Sequence, residues 1–180
     1  NVVRLGFVNK MDRQGADFLA VCNQVREMLG SNAVPLQLPI GAEDNFKGVV
    51  DLVENRAIVW NEDDKGMTFK VIDIPADMKD EVAEYRGYLV ESVAEYDESL
   101  MEKFFDNPDS ITRDEIINAL RAATIDIAFV PMMCGSSFKN KGVQTMLDYV
   151  MALCPSPMDK ESIKGIDPDT EQEISRKPDE

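Results

Sequence analysis

The sequence predicts an α/β fold in which parallel strands and their helices enclose an inserted antiparallel block. Two short apolar runs, residues 2–8 and 127–133, each end in polar loop residues and precede a helical pattern, as strands of an open parallel sheet do. Between them, residues 46–72 form short β-like stretches separated by turn residues, which is typical of antiparallel strands. With 180 residues, the chain is long enough for one domain or two small ones.

Residue type and spacing predict the first elements. β-branched residues dominate the first apolar run, and a polar turn follows it. Apolar residues then recur at helical spacing from Asp17 to Leu29, and Gly30 suits the C-cap of that helix. The next predicted strand, residues 34–38, contains Pro35, which is tolerated at the edge or the start of a strand. We therefore expect this strand to leave the main sheet.

An antiparallel meander of three strands is predicted next, over residues 48–53, 56–60 and 67–72. The two connections contain the Asn and Gly residues that tight turns require. One long helix is then predicted from residue 77 to about residue 105, because apolar residues recur along it at spacings of three and four. The region is therefore expected to form an α+β unit.

The remaining helices are predicted from their termini. Thr112 and Glu115 form a capping-box pattern at the start of one helix. The last helix is predicted over residues 142–153, and the prolines at 155 and 157 indicate a domain boundary after it. The segment from residue 159 to 180 carries eight acidic and four basic side chains and few large apolar ones. It is predicted to be a linker or a disordered tail.

The motif Asn9-Lys10-Met11-Asp12 directly follows the first predicted strand. A carboxylate is thus placed at the carboxyl end of a buried strand, where open α/β sheets bind ligands. An ionised Asp can accept two parallel N–H bonds, and guanine offers such a pair in its ring N–H and its exocyclic amine. Adenine has no matching pair. Four residues on their own are equally well explained as a polar turn that leads into a helix.

A second polar loop, Ser136-Ser137-Phe138-Lys139, follows the second apolar run. With both motifs, the chain resembles the translational GTPases, and among them the bacterial elongation factor G family. Asn9, Lys10 and Asp12 are similar to the family's guanine-specificity motif, and Ser136, Ser137 and Phe138 to its second base-contacting loop. Ser137 stands where the family usually has Ala, but the backbone N–H that reads the guanine oxygen survives this change. The resemblance extends through nearly the whole chain.

This resemblance implies a partial G domain of the P-loop GTPase type with an inserted α+β subdomain. Residues 1–29 would form the first part of the G domain, and residues 126–158 its second part. Residues 30–125 would form the insertion subdomain. Residues 159–180 would lead towards a second domain.

The sequence lacks the phosphate-binding motif G-x-x-x-x-G-K-[ST], recognisable switch segments and histidine. We therefore expect a cropped piece that holds the base-reading half of a G domain without its catalytic half. Such a piece would bind GTP or GDP weakly or not at all, and Mg²⁺ would bind only in the intact parent. The alternative is a stand-alone protein-interaction module that does not bind nucleotide. Whether the parent drives ribosomal translocation or recycling is left open.

Three acidic residues, Glu91, Glu95 and Glu98, are predicted to lie on the polar side of the long helix. A solvated face is the commoner explanation for such a charge run. However, like charges at these spacings cost a few tenths of a kcal/mol per pair. The resemblance associates this helix with the carboxyl-terminal domain of the ribosomal stalk protein, which presents lysines. We therefore favour docking slightly over a solvated face.

Composition restricts partners and compartment. The net charge of −15 should repel nucleic acid, so a ribosome-bound parent would use this piece to face protein or solvent. No apolar run is long enough to cross a bilayer. The three cysteines lack metal-ligand spacing and indicate free thiols in a reducing cytoplasm. Lys139 and Lys141 are either close to the nucleotide or part of a solvated helix start. We expect the Asn9 side chain to be unrestrained, because the phosphate loop that it braces in the family is absent.

Overall fold

The structure is a computed structural model that describes residues 2–159, 162–166, 168 and 172–177. The helices are α1 (Phe18–Leu29), α2 (Lys79–Tyr96), α3 (Glu98–Asp106), α4 (Arg113–Ile125) and α5 (Val143–Leu153). The strands are β1 (Gly6–Val8), β2 (Ala33–Pro35), β3 (Gln37–Ile40), β4 (Gly48–Asp51), β5 (Arg56–Trp60), β6 (Phe69–Ile72), β7 (Val130–Cys134), β8 (Ile163–Ile166) and β9 (Glu173–Arg176). In the part of the chain that the structure describes, no helix is both long and apolar enough to cross a membrane.

The predicted parallel sheet is confirmed, with the strand order β1-β7-β2. Val8 is level with Cys134 in the pairing of β1 with β7, so these neighbouring strands end at the same edge. β7 is buried along its whole length because it lies in the centre of the sheet. β1 is shorter than the predicted run and forms one edge of the sheet. The loops after β1 and β7 are therefore neighbours.

The predicted strand over residues 34–38 is divided at Leu36, and this corrects the prediction that it leaves the main sheet. Ala33–Pro35 stays in that sheet and pairs with β7. The N–H of Leu36 donates to Met132 of β7, whereas its C=O accepts from Leu52 beyond β4. Leu36 thus switches the chain from one sheet to the other. Residues 33–35, which the boundary at residue 30 assigns to the insertion subdomain, belong to the parallel sheet.

The predicted antiparallel meander is confirmed and gains a fourth strand. β4, β5 and β6 pair in sequence order, and β3 adds to the free side of β4. A side chain at Gly48 would collide with the carbonyl of Ile58 on β5, so glycine is required at this close approach. β6 is the exposed edge of this sheet. We call residues 37–125, from β3 to the end of α4, the inserted block.

Two predicted helix termini are confirmed. Gly30 is the C-cap of α1 and has a φ of 59°, a left-handed conformation that glycine adopts without strain. Thr112 and Glu115 form a reciprocal capping box at the start of α4. These ends are set by local hydrogen bonds, which is why the sequence predicts them.

The single helix predicted from residue 77 to about residue 105 is wrong, because Asp97 divides it into α2 and α3. Asp97 has an extended backbone, with φ of −125° and ψ of 110°. Its Oδ1 accepts from the N–H of Ser99 at 2.9 Å and from the Ser99 hydroxyl at 2.7 Å. A short carboxylate competes for backbone N–H groups in this way and favours a new helix start over helix continuation.

The core joins the inserted block to the helices of the parallel sheet. α2 and α4 pack against each other, and α4 packs against α5. Buried side chains of β3 and β4 belong to the same apolar cluster as Tyr149 and Leu153 of α5. Within this interface the Tyr149 hydroxyl donates to Asp51 of β4 at 2.7 Å. The inserted block is therefore anchored directly to the helix that follows β7.

The polar segment after residue 158 contains an antiparallel pair of strands, β8 and β9. The prediction of a disordered tail is therefore wrong for residues 163–166 and 173–176. The rest of that prediction, for residues 160, 161, 167, 169–171 and 178–180, lies outside the described residues. That the segment leads to a further domain stays a prediction.

Candidate nucleotide-binding site

The two predicted loops meet at the carboxyl edge of the parallel sheet. We call residues 9–12, after β1, the first loop, and residues 136–141, after β7, the second loop. The backbone N–H of Met11 donates to the carbonyl of Gly135, and the N–H of Gly135 donates to Val8, both at 3.0 Å. Met11 is buried and anchors the first loop in the core. The strands therefore hold the loops side by side.

Asn9 connects the two loops through one atom. Its Oδ1 accepts from the backbone N–H of Lys10 at 2.8 Å, and from the N–H and the hydroxyl of Ser137 at 3.0 Å each. The expectation that this side chain is unrestrained is therefore wrong, because the second loop supplies its partners. Lys10 follows in a left-handed conformation with a φ of 64°, and its side chain is exposed.

Asp12 is the charged group of this site. Its side chain is 10% exposed, and its Oδ2 lies 3.7 Å from the Nζ of Lys139. The neighbouring Ser136 hydroxyl, a backbone hydrogen bond and the positive charge of Lys139 lower the pKa of Asp12, against the opposing effect of burial. Asp12 is therefore ionised at neutral pH and presents acceptors only.

Ser136 is almost fully buried, and within the described part of the chain its hydroxyl has no hydrogen bond of normal geometry. The same hydroxyl stabilises the ionised Asp12 carboxylate, so Asp12 is its neighbour in the site. Ser137 is exposed, and Phe138 is 95% exposed although it is a large apolar residue. Ser137 and Phe138 thus lie on the exposed side of the second loop, whereas Ser136 is buried beside Asp12.

The two lysines of the second loop do not lie in a solvated helix start, which was one of the two predictions for them. α5 begins only at Val143, after Gly142 in a left-handed conformation. Lys139 is the ion-pair partner of Asp12. Lys141 is buried, and its Nζ donates to the carbonyl of Phe46 at 2.8 Å and to Glu62 at 2.7 Å. Sequence reasoning missed this role of Lys141, because its partners lie 79 and 95 residues away.

The acidic residues predicted as a docking face are exposed, but they do not share one helix. Glu91 and Glu95 are one turn apart on α2, whereas Glu98 is the first residue of α3, beyond the break at Asp97. The prediction that Glu98 lies two turns after Glu91 on the same helix is therefore wrong. None of the three forms an ion pair with another described residue.

The three cysteines are free thiols. Burial raises the pKa of Cys22 to about 11, and it raises the pKa of Cys134 and Cys154 as well. At neutral pH these thiols are therefore protonated in the absence of a metal ion. Among the described residues no group of three His, Cys, Asp or Glu side chains is arranged to hold a metal ion.

The fold is that of a GTPase-type domain, and comparison with known proteins agrees. The family model of the elongation factor Tu GTP-binding domain matches residues 1–156. The chain therefore belongs to this family of translational GTPase domains.

The relatives identify the particular translation factor that the chain is similar to, which is elongation factor G. The chain is 72% identical over 177 residues to elongation factor G of Cytophaga hutchinsonii, and 56% identical over 178 residues to that of Amoebophilus asiaticus. These matches cover 98% and 99% of the chain but 25% of each relative, so the chain spans about a quarter of their length. A crystal structure from Thermus thermophilus has the same fold, with a TM-score of 0.75 at 23% identity over 89% of this chain and 23% of that one.

Proposed function

We propose that this chain reads the guanine base in the G domain of an elongation factor G. The observation that carries the proposal is the contact of Asn9 with Ser137, which holds the first and second loops together beside an ionised Asp12. Both loops lie at the carboxyl edge of a parallel sheet, where this class of fold binds its ligands.

Each residue has a distinct role in this proposal. The two carboxylate oxygens of Asp12 accept from the ring N–H and the exocyclic amine of guanine, which adenine cannot match. The backbone N–H of Phe138 donates towards the guanine carbonyl, because the Ser137 N–H, which the sequence predicted for this role, already donates to Asn9. Lys10 lays its aliphatic stem along the base, with its ammonium in solvent. Asn9 fixes the distance between the two loops through its Oδ1 and lies near the base.

GTP hydrolysis by the whole protein would drive ribosomal translocation in the cytoplasm. Phosphate and Mg²⁺ contacts would come from residues outside this chain, since the sequence has no phosphate-binding loop. The bound Mg²⁺ would supply charge neutralisation to the phosphates. The part played by this chain is to select the base and orient the nucleotide.

The inserted block would face a protein partner. Glu91, Glu95 and Glu98 are exposed and unpaired among the described residues, and they suit the lysine-bearing carboxyl-terminal domain of the ribosomal stalk. The net charge of −15 argues against direct contact of this piece with ribosomal RNA. We place the start of the insertion at residue 37 instead of residue 30, since β2 belongs to the parallel sheet.

A base-swap experiment on the full-length protein tests the proposal. Asp12→Asn should weaken GDP binding at least about tenfold, because two hydrogen bonds to a charged acceptor are lost. It should strengthen binding of xanthosine diphosphate, whose additional ring oxygen can accept from the new amide. Asp12→Ala is the matched control and should lose GDP without gaining xanthosine diphosphate. If Asp12→Asn keeps the affinity and base preference of the wild type in competition assays, the assignment is wrong.

A further inference from the structure

The second loop is held from outside the parallel sheet by the turn between β5 and β6, residues 61–66. We propose that this turn of the inserted block positions the second loop for base reading. The contacts that do so involve Glu62, Gly66 and Lys141, and we call them the clamp. The inference rests on the proposed function, because that proposal gives the second loop its base-reading role.

Lys141 is the first part of the clamp. Its side chain is 2% exposed, and its Nζ donates to the Phe46 carbonyl at 2.8 Å and to Glu62 Oε1 at 2.7 Å. A buried ammonium requires such partners, because an unpaired buried charge is very costly. The backbone of Lys141 also closes the second loop, exchanging hydrogen bonds of 2.9 and 3.0 Å with Ser136. The partners of the ammonium therefore fix the end of the loop.

Gly66 is the second part of the clamp. Its carbonyl accepts from Asn140 Nδ2 at 3.1 Å and from Gln144 Nε2 at 3.3 Å, so it joins the loop and the first turn of α5. Gly66 has a φ of 75°, and a Cβ added there would lie 2.5 Å from the carbonyl oxygen of Lys139. Glycine is thus required on both conformational and steric grounds. The turn touches the loop backbone with no room for a side chain.

The clamp bears on nucleotide binding because the loop contributes a backbone N–H donor, that of Phe138, to the proposed site. Such donors are effective only when they are held in place before the ligand arrives. On one side, Asn9 accepts from the Ser137 N–H. On the other side, the clamp holds Asn140 and Lys141. Loosening the clamp should leave the strands intact, mobilise the loop and speed nucleotide release.

The test uses the full-length protein that contains this chain, with fluorescent GDP and stopped-flow measurement of its release. Glu62→Ala leaves the Phe46 carbonyl as a partner of the Lys141 ammonium, so the fold should survive. In Gly66→Ala the added Cβ would crowd the loop backbone at Lys139. Each should release GDP about tenfold faster, equivalent to about 1.4 kcal/mol. Asp63→Ala is the matched control, since this neighbouring carboxylate is exposed and makes no side-chain hydrogen bond or ion pair with other described residues. Its release rate should equal that of the wild type.

Hydrogen exchange supplies a readout that does not depend on nucleotide. In Glu62→Ala and Gly66→Ala, the amides of residues 136–141 should exchange faster, while those of α2 keep their wild-type rates. Wild-type GDP release and unchanged exchange in both variants would overturn the inference alone. Failure of the wild-type protein to bind GDP would overturn the proposed function. Faster exchange in the two variants would, in that case, still show that the clamp holds the second loop in place.

Discussion

Asn9 Oδ1 accepts two hydrogen bonds from Ser137, one from its backbone N–H and one from its hydroxyl, both at 3.0 Å. The two residues are 128 positions apart and belong to loops that follow neighbouring strands. An alanine at position 137 could offer only the backbone donor. The hydroxyl therefore adds a second bond between the loops in this chain.

This pair predicts a graded series of variants. Ser137→Ala removes one of the two bonds and should weaken GDP binding by the full-length protein only slightly, about threefold, since a neutral hydrogen bond contributes about 0.5–1.5 kcal/mol. Asn9→Ala removes the acceptor for both donors and should weaken binding about tenfold or more. Calorimetric titration with GDP and Mg²⁺ measures both. Equal losses in the two variants would show that the hydroxyl carries the connection and the backbone N–H does not.

Residues 1–180 alone should bind GDP weakly or not at all and should not hydrolyse GTP. The affinity of GTPases for nucleotide depends strongly on phosphate and Mg²⁺ contacts, and this sequence has no phosphate-binding motif to make them. Calorimetry of this stretch with GDP and Mg²⁺ measures the first quantity, and phosphate release measures the second. Sub-micromolar binding would mean that the phosphate contacts have been assigned to the wrong part of the protein.

Charge reversal of Glu91, Glu95 and Glu98 to Lys tests the docking surface. All three side chains are exposed, so the helices should remain folded. Ribosome-stimulated GTP turnover by the full-length protein should fall at low salt and recover as salt rises, because exposed charges chiefly set association rates. Circular dichroism is the folding control. Because Glu98 lies beyond the break at Asp97, the Glu91/Glu95 double variant should lose less turnover than the triple variant. Wild-type turnover at low salt would identify an ordinary solvated face.

The buried carboxyl of Asp51 predicts a pH dependence of stability. Burial, the largest influence, raises the pKa of Asp51, although its Oδ1 accepts from Tyr149 at 2.7 Å and from two backbone N–H groups at 3.0 Å. The folded state therefore holds the proton more tightly than the unfolded state. Stability from this group is present below the ordinary pKa of about 3.9 and is lost as pH rises through the raised value.

Asp51→Asn keeps an acceptor but cannot ionise, so its stability relative to the wild type should increase as pH rises. The increase should be about 1.4 kcal/mol for each unit by which the pKa is raised. Urea unfolding of both proteins between about pH 4 and pH 7 measures this difference. Parallel curves across that range would mean that Asp51 titrates normally. Tyr149→Phe should cost about 1 kcal/mol through the lost hydrogen bond.

Much of the fold could be predicted because its signals are local. The Thr112–Glu115 capping box and the Gly30 cap depend on residues within one helical turn, and both are present. The antiparallel meander follows from alternation and turn residues, and its strands pair as expected. The break at Asp97 was also signalled locally, by Ser99 two residues on, but the continuing apolar periodicity concealed it.

The sequence by itself determined which residues follow the two parallel strands, and hence that a carboxylate and a Ser-rich loop meet at one edge of a sheet. It could not determine how those loops are supported. Leu36 bonds to two different sheets, Asn9 to a residue 128 positions away, and Lys141 to partners 79 and 95 positions away. A local pattern carries no information about such partners. Only the tertiary structure decided that Lys141 is buried against the inserted block and that Asn9 is held by the second loop. An ammonium or an amide takes its position from whichever distant groups the fold brings within hydrogen-bonding distance.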